Sequence, residues 1–478
     1  MYLLLPSLGV NCIIVIMTKW TPELSSIEGP RYLAIAEALA QDIAVGRLKA
    51  GDRLPTHRDL AWTLGVTVGT VSRAYAEAER RGLTTGEIGR GTFVNVPASN
   101  ENLHRWHDRA PGTIHMRSAP PMPGADEGVI ADVMARVASG PRALEMMAYQ
   151  TQRGLIEHRQ AGADWISRPG YRVQAEELTI TAGAHHGVMV ALAAVTRPGD
   201  HIVCDSLTYP GIRSLARLLG LRLEGLRRDA DGPLPDAFEE ACRTHDTKAL
   251  FVCPTQHNPT SLTMPEDRRR ALAAVARQFG VAIVEDDTFG QLDGTEPLPL
   301  TTLVPELGFY VVGMSKTVAA GLRIGYVAAP EKARERVGSA VHSSCWMACP
   351  LTGEITAELI RSGAAAEVRA GRKKEAVARS AVAREVLKGW DFDCAEGANF
   401  LWLRLPEPWR SSEFAEEAER RGVLVTPSDP FMVGRRESAP AVRVCFGPPR
   451  DHRELRRGLA ILAEQLSEGP GYALSSVV

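Results

Sequence analysis

The 478-residue sequence has no large excess of charge of either sign. Its formal net charge is -2, and charged residues make up 23% of the chain. This balance excludes a protein that binds nucleic acid over its whole surface, but it leaves room for one small basic module.

The eight cysteines show none of the paired spacings of metal-ligand motifs. They lie in mostly apolar surroundings, at positions 12, 204, 242, 253, 345, 349, 394 and 445. We therefore expect buried free thiols in a reducing cytosol, and we predict no metal site.

Long apolar runs are absent outside the first 17 residues. That stretch has no basic residue before its apolar part, and Pro6, Gly9 and Asn11 interrupt it. It is also shorter than the roughly 20 residues that span a bilayer, which argues against a membrane anchor or a signal peptide. We interpret residues 1–17 as an extension with Met17 as the true first residue, and we expect a cytoplasmic protein without a membrane partner.

The length predicts two or three domains rather than one core. No internal repeat is present. We predict a first domain over residues 18–96, a proline-containing linker over 97–125 and a larger domain over 126–470.

Residues 30–96 have the pattern of a winged helix-turn-helix. Apolar residues at Ile35, Leu39 and Ile43 predict one helix, and two more are expected over about 57–64 and 67–81, with Thr67 as an N-cap. A glycine-rich hairpin follows. Nine basic and eight acidic residues between positions 28 and 96 leave a small helical oligomerisation module as the alternative.

The runs Gly51-Asp-Arg-Leu-Pro-Thr-His-Arg58, Leu64-Gly-Val-Thr67-Val-Gly-Thr70 and Gly89-Arg-Gly-Thr-Phe-Val94 resemble the DNA-binding domain of the GntR family of bacterial regulators. The resemblance implies double-stranded DNA as a partner. Val68 stands where family members often have arginine, so base readout should depend less on arginine. The DNA-binding residues expected from the resemblance and from basic clustering are Arg53, Arg58, Thr67, Thr70, Arg73, Gly89, Arg90 and Gly91.

From about residue 145 onward, strand and helix patterns alternate. Apolar strands are predicted at 178–181, 201–204, 249–253, 281–284 and 309–312, with helical patterns such as 268–279 between them. This predicts an α/β domain around a mostly parallel sheet, in which ligands bind at the carboxyl ends of the strands.

Lys316 is an unusual lysine at one of these strand ends. Only eight of the 55 Lys and Arg residues are lysine, and no other lysine lies between Lys248 and Lys332. A desolvated lysine with a lowered pKa can form a Schiff base with a carbonyl cofactor such as pyridoxal phosphate. A lysine that merely extends its amine to solvent is the alternative.

Other strand ends carry groups that such a cofactor requires. The small-residue turn at Gly183, Ala184 and His185 opens a helix and can hold a phosphate. Tyr209 can stack on a pyridine ring, and the amide of Asn258, before a proline, can donate to the cofactor. A simple helix start, a surface tyrosine and an ordinary Asn-Pro turn are the alternatives.

Charged residues complete the pattern. Asp286 ends a buried strand, where its carboxylate can keep a pyridine nitrogen protonated; helix capping or metal binding is the alternative. Arg323 can hold the phosphate, and Arg443 lies on an apolar strand, where it can bind a substrate carboxylate. A structural ion pair is the alternative for both arginines.

The order of these motifs resembles the fold type I aminotransferases over roughly residues 115–470. The resemblance implies a large α/β lobe with a mostly parallel sheet and a smaller α+β C-terminal lobe. It also implies that Lys316 is the cofactor lysine, with Ser315 beside it, and that Tyr149 reaches the cofactor phosphate of a partner subunit in a homodimer. Phe289 stands where a tyrosine is common and Gly313 where a serine is common, which weakens catalysis more than cofactor binding.

A GntR-type winged helix before an aminotransferase-like domain is similar to the arrangement of the MocR-like regulators. The resemblance implies a transcriptional regulator that uses pyridoxal phosphate at Lys316 to sense an amino compound, an amino acid or a B6 vitamer. A working aminotransferase with an accessory DNA-binding domain is the alternative.

Overall fold

The computed structural model describes residues 20–24, 29–48, 52–81, 83–87, 91–94, 112–123, 127–290, 297–434 and 440–469. The described residues up to Val94 form one compact unit, and those from Gly112 onward form a second. The predictions for residues 1–17, Gly89 and Arg90 concern positions outside the described residues.

The first unit has three helices followed by a two-stranded antiparallel hairpin. This is the winged helix-turn-helix that the sequence predicts. Its elements are α1 (Arg31–Ala44), α2 (His57–Leu64), α3 (Val68–Arg80), β1 (Thr84–Glu87) and β2 (Gly91–Val94).

Two helix caps shape the turn between α2 and α3. Gly65 adopts a left-handed conformation with φ of 60° and ends α2. The Thr67 hydroxyl accepts a hydrogen bond from the backbone N–H of Thr70 at 3.2 Å and so caps α3, as predicted. Apolar residues of all three helices, including Ile35, Leu60 and Val71, are at most 1% exposed and form one core.

The second unit begins with a short strand that packs on its smaller lobe, and its larger lobe then starts with two helices and continues with a series of strands and helices. These elements are β3 (Ile114–His115), α4 (Glu127–Ser139), α5 (Ile156–Ile166), β4 (Leu178–Thr181), α6 (Ala184–Val195), β5 (His201–Asp205), α7 (Gly211–Leu218), β6 (Arg222–Leu226), β7 (Arg228–Asp229), β8 (Gly232–Pro233), α8 (Pro235–Thr244), β9 (Thr247–Val252), α9 (Glu266–Phe279), β10 (Ala282–Asp286), β11 (Gly308–Gly313), β12 (Gly325–Ala328), α10 (Arg334–Cys345) and α11 (Pro350–Arg361).

The central sheet has seven strands in the order β4-β12-β11-β10-β9-β5-β6. Only β12 runs antiparallel to its neighbours, so the sheet is mostly parallel, as the sequence predicts. Its central strands are apolar because both faces are covered, and every residue of β11 is buried. The carboxyl ends of β4, β5, β9, β10 and β11 lie at one edge, where the candidate site is found.

A smaller lobe follows. It contains α12 (Ala364–Val386), β13 (Phe392–Asp393), β14 (Phe400–Arg404), α13 (Ser411–Arg420), β15 (Val423–Leu424), β16 (Thr426–Pro427), β17 (Ala441–Cys445) and α14 (His452–Glu468). Strands β13, β14, β17 and β16 form an antiparallel sheet, while β15 pairs with β3.

Residues 112–123 fall within the stretch expected to be linker, yet they pack on the smaller lobe. The backbone N–H of Met116 donates to the carbonyl of Leu424 at 2.9 Å, and its carbonyl accepts from Cys445 at 2.8 Å. Ile114 and Met116 are at most 1% exposed. Strand pairing and two buried apolar side chains therefore hold this part of the chain, despite its proline content. No helix among the described residues is long and apolar enough to cross a membrane.

Candidate functional site

Lys316 lies just after β11, partly buried at the carboxyl edge of the sheet. Its Nζ atom donates a hydrogen bond to the carbonyl of Ala119 and lies 5.7 Å from the centre of the Phe289 ring. Burial, and next the positive charge of Arg443, lowers the pKa of Lys316 from 10.5 to about 8. A larger fraction of this amine is therefore neutral near physiological pH, as a nucleophile requires.

Asp286 ends β10, the parallel neighbour of β11. One carboxylate oxygen accepts a hydrogen bond from the backbone N–H of Thr288 at 3.1 Å and another from its hydroxyl. Burial raises the pKa of Asp286 to about 6, and the nearby charge of Lys316 opposes that rise. The Asp286 carboxylate thus lies within electrostatic range of the lysine.

The two acids beside Asp286 have structural partners. Glu285 is fully buried and accepts hydrogen bonds from the backbone of Leu300 at 3.0 Å and of Thr301 at 2.8 Å. Asp287 is also fully buried and accepts from the hydroxyl of Tyr310. Asp286 alone of the three is not fully enclosed by the fold.

Arg443 on β17 is joined to Asn258. Its Nη1 donates to the Oδ1 atom of Asn258 at 2.8 Å, and its Nη2 donates to the carbonyl of Arg117 at 3.0 Å. The guanidinium lies over the ring of Phe431 at 4.7 Å, and its buried Nε has no hydrogen-bond partner among the residues that the structure describes. Among the described residues no carboxylate pairs with Arg443, which argues against a purely structural ion pair and leaves a cation able to bind an external carboxylate.

The turn between β4 and α6 presents a helix N-terminus beside Arg323. Gly183 precedes the helix with φ of 88°. Arg323 donates to the Ser315 hydroxyl at 2.9 Å and to the carbonyl of Ala182 at 3.3 Å. Helix N–H groups, a guanidinium and a hydroxyl thus converge, which is a suitable arrangement for binding an anion. Arg323 also has no carboxylate partner in the described part of the chain.

The first residues of α6 pack closely against β12. A Cβ atom on Gly325 would lie 2.6 Å from the carbonyl carbon of Gly183 and 2.8 Å from the nitrogen of Ala184. Only glycine fits there without a shift. A Cβ on Gly313, where the resemblance leads one to expect serine, would lie 3.0 Å from the Cβ of Ala184. The position that has glycine instead of serine is therefore tightly packed against the start of α6.

Tyr209 and His185 border the same space. The Tyr209 hydroxyl lies 3.3 Å from Nδ1 of His185. Burial raises the pKa of Tyr209, with a further rise from the charge of Asp286 and an opposing effect from Arg323. Phe289, which replaces an expected tyrosine, packs edge-on against Phe400 at 5.1 Å and offers no hydroxyl.

Tyr149 is apart from these groups. It is 80% exposed, and its ring contacts Trp346 with 5.7 Å between centroids. The described residues give it no contact with Lys316 or Asp286. A role for Tyr149 at a cofactor would therefore require a second subunit.

In the first unit, several of the predicted DNA-binding residues are accessible. Arg58, Thr67 and Arg73 are exposed, and Thr70 is half-buried. The side chain of Arg53 lies against the wing strand, since a Cβ on Gly91 would be 3.0 Å from its Nε atom. The structure therefore brings Arg53 to the hairpin, where its backbone forms an antiparallel bridge with Phe93.

Two backbone carbonyls of the site were not anticipated from sequence. Those of Arg117 and Ala119 accept hydrogen bonds from Arg443 and Lys316. A proline-containing stretch carries no local signal for such a role. The pairing of β3 with β15 and the hydrogen bond from Cys445 to the carbonyl of Met116 bring it to the site.

Comparison with known proteins supports both units. A family model described as aminotransferase class I and II matches residues 130–462, and one described as bacterial regulatory proteins, gntR family, matches residues 31–94. The uncharacterized HTH-type transcriptional regulator YdeF of Bacillus subtilis is 30% identical over 94% of this chain and 97% of its own length. The HTH-type pyridoxine biosynthesis transcriptional regulator PdxR of Corynebacterium glutamicum is 28% identical over 62% of this chain and 65% of its own.

The fold has solved counterparts. The kynurenine aminotransferase of Pyrococcus horikoshii superposes with a TM-score of 0.71 at 22% identity, covering 78% of this chain and 95% of that one. At this level of identity, the likeness supports the fold of the second unit.

Proposed function

Because this chain belongs to the aminotransferase class I and II family and carries a DNA-binding domain of the gntR family of bacterial regulators, we propose that it is a transcriptional regulator that senses an amino compound through pyridoxal phosphate. The observation that carries the proposal is the presence, in one chain, of a winged helix and of a site built around Lys316. The class I and II aminotransferases are in general dependent on pyridoxal phosphate, which sets the expectation for this chain.

The residues present fit such a cofactor. The N-terminus of α6, with Ser315 and Arg323, would hold a phosphate. Because Gly325 has no side chain, it can lie against Gly183 without covering the backbone of this turn. Tyr209 would border the ring, and Asn258 would donate its amide NH2 because its Oδ1 already accepts from Arg443.

When bound, this cofactor supplies a carbonyl that condenses with amines and a ring that withdraws electrons. Lys316 contributes a partly buried amine whose lowered pKa favours the neutral form. Asp286 contributes a carboxylate that would hold a proton on the ring nitrogen. The Ala119 carbonyl accepts a hydrogen bond from Lys316 and so provides a place for the amine when it is not otherwise engaged.

Arg443 defines the chemical class of effector that we favour. A cation without a carboxylate partner, over the face of Phe431, suits the carboxylate of an amino acid. A B6 vitamer would use the phosphate and ring contacts instead of Arg443. The two kinds of effector are thus distinguishable by their dependence on this residue.

A homodimer would complete the site. Tyr149 is 80% exposed, and the nearby Leu144, Met147 and Trp346 are 85%, 66% and 52% exposed. Exposed large apolar side chains of this kind are typical of a surface that a partner covers. A dimer would also present two winged helices to double-stranded DNA, as expected of a cytoplasmic regulator that reads two half-sites.

For a sensor, ligand binding must differ in free energy between the DNA-competent state and the other state. The test is footprinting on DNA from upstream of the protein's own gene, with and without candidate amino acids and vitamers. Protection that changes with a compound supports the regulator, whereas identical protection under all conditions contradicts it.

A working aminotransferase is the second candidate, and the reactive character of Lys316 favours it. Turnover of an amino donor with a keto acid, without any change in DNA binding, would support the enzyme instead. Both activities in one purified protein would mean that sensing and turnover share the site.

A further inference from the structure

Three residues far apart in sequence meet at the end of the central sheet opposite to Lys316. His201 begins β5, Glu224 lies within β6 and His245 follows α8. In the described part of the chain, theirs is the one cluster in which histidine and carboxylate ligand atoms all lie within 4.8 Å of one another. We propose that His201, Glu224 and His245 form a binding site for a divalent transition-metal ion of the Zn²⁺ class.

The distances suit a single small ion. Nε2 of His201 lies 2.9 Å from Oε2 of Glu224, and Nε2 of His245 lies 3.7 Å from the same oxygen. A tetrahedral ion with bonds of about 2.0–2.1 Å requires its ligand atoms to be roughly 3.3 Å apart. The observed separations lie on either side of that value, so small rotations of Glu224 and His245, the two exposed members, would bring all three atoms to the ion.

Thr247 orients one of the ligands. Its hydroxyl donates to the carbonyl of Ala241 at 3.3 Å, so the Nδ1 atom of His201, 3.0 Å from the same hydroxyl oxygen, is the donor of the pair. Nε2 of His201 then faces the Glu224 carboxylate at 2.9 Å. A hydrogen-bonded partner on the far ring nitrogen is typical of metal-binding histidines, because it fixes the orientation of the ring.

The chemistry of the donor set selects the ion. Two imidazoles and one carboxylate suit Zn²⁺ and its transition-metal neighbours, whereas Mg²⁺ and Ca²⁺ prefer oxygen ligands alone. The side chains of Glu224 and His245 are 43% and 48% exposed, so an ion from solution has access and water can fill the remaining position.

The location of the cluster, far from Lys316, indicates that a bound ion would have a structural role. Strand β5 runs from His201 to Asp205, and the loop that carries Tyr209 leaves its far end. Five strand residues span roughly 16 Å. An ion at this cluster would connect β5, β6 and the α8–β9 turn without touching the groups around Lys316.

An ordinary surface ion pair is the competing explanation, and the chain offers a control for it. His452 lies 3.0 Å from Glu375 and is 46% exposed, but no second histidine joins that pair in the described residues. His452→Gln therefore removes a comparable His–Glu contact from a place where we expect no ion.

The experiment is calorimetric titration of the purified full-length protein with Zn²⁺ and, separately, Mg²⁺. We expect His245→Gln and Glu224→Gln to weaken the Zn²⁺ site at least tenfold, since losing a direct ligand costs no less than losing an outer partner. His452→Gln should bind Zn²⁺ as the unmodified protein does. Mg²⁺ should show no binding at this site in the unmodified protein or in any variant.

Thermal unfolding and diffraction provide independent measurements. Zn²⁺ should raise the unfolding temperature of the unmodified protein and of His452→Gln by the same amount, and that of His245→Gln by less, because the ion binds the folded state. Crystals of the unmodified protein soaked in Zn²⁺ should show an anomalous peak among the three side chains. Identical Zn²⁺ titrations of the unmodified protein and His245→Gln, or an anomalous map without that peak, would overturn the proposal.

Discussion

Nη1 of Arg443 donates a hydrogen bond to Oδ1 of Asn258 at 2.8 Å, across 185 positions of sequence. This bond joins the residue proposed to bind a carboxylate to a residue proposed to contact the cofactor. A ligand that engages Arg443 therefore acts on a group that also orients Asn258, which gives the site a direct route from effector binding to cofactor environment.

Replacing Arg443 should separate two classes of ligand. Arg443→Gln is expected to weaken an amino acid about 10- to 100-fold, because a hydrogen bond to a charged group contributes about 1.5–3 kcal/mol. A simple amine without a carboxylate should be weakened much less, because it loses only the indirect effects of Arg443 on Asn258 and Lys316. Absorbance titration of the cofactor-loaded protein measures both, and equal weakening of the two ligands would contradict the assignment.

The reactivity of Lys316 should follow a pKa of about 8. Covalent attachment of an added aldehyde is expected to rise about tenfold per pH unit below that value and to level off above it, since only the neutral amine attacks. Borohydride trapping followed by mass spectrometry of the Lys316 peptide gives the rate. A rate that keeps rising to pH 10 would mean that burial does not lower this pKa.

The same shift affects the stability of the cofactor-free protein. The pKa of Lys316 is lower in the folded state than the ordinary value of 10.5, so the folded chain binds fewer protons between about pH 8 and 10.5. The contribution of Lys316 to the free energy of unfolding should therefore increase with pH across that window and stay constant below it. Comparison with Lys316→Met in chemical denaturation isolates this contribution.

Gly325 and Gly321 form a matched pair of positions. A Cβ on Gly325 would collide with the backbone of Gly183, whereas one on Gly321 would meet nothing within 4 Å. Gly325→Ala should lower the free energy of unfolding by about 1–3 kcal/mol and weaken cofactor retention, because the start of α6 must shift. Gly321→Ala should leave cofactor retention unchanged; a similar loss in both variants would argue against the close approach as the cause.

DNA binding should depend on Arg58. Arg58 is exposed, and Arg58→Ala is expected to weaken binding to all DNA sequences alike. It should also reduce the slope of log K against the logarithm of the salt concentration by about 1, as for one lost phosphate contact. Arg456→Ala removes an equally positive residue, paired with Glu385, from the second unit. Fluorescence anisotropy at several salt concentrations tests this, and an equal effect of Arg456→Ala would point to general charge rather than contact.

Much of the fold could be predicted because its signals are local. The helix α3 follows from its predicted cap at Thr67, and the central strands follow from short apolar runs such as 309–312. Asp286 and Lys316 could be singled out together because parallel strands end at a common edge.

The remaining features arise from long-range pairing that no local pattern encodes. The carbonyl of Ala119 reaches Lys316 because its stretch of chain pairs with β15 and β17, both some 300 positions away in sequence. The cluster of His201, Glu224 and His245 likewise depends on the neighbouring positions of β5 and β6 in the sheet. The prolines suggested a linker in the first case, and the cysteine spacings gave no sign of a metal-ligand motif in the second.

The central claim is that a ligand at Lys316 changes the affinity for DNA. Anisotropy on DNA from upstream of the protein's own gene, titrated with amino acids, amines and vitamers, tests it most directly when the unmodified protein and Lys316→Ala are compared. We predict that at least one compound changes the affinity of the unmodified protein fivefold or more, a coupling of about 1 kcal/mol or greater, and leaves Lys316→Ala unaffected. Compounds that alter the cofactor absorbance without changing DNA affinity, or an equal response in Lys316→Ala, would contradict the account.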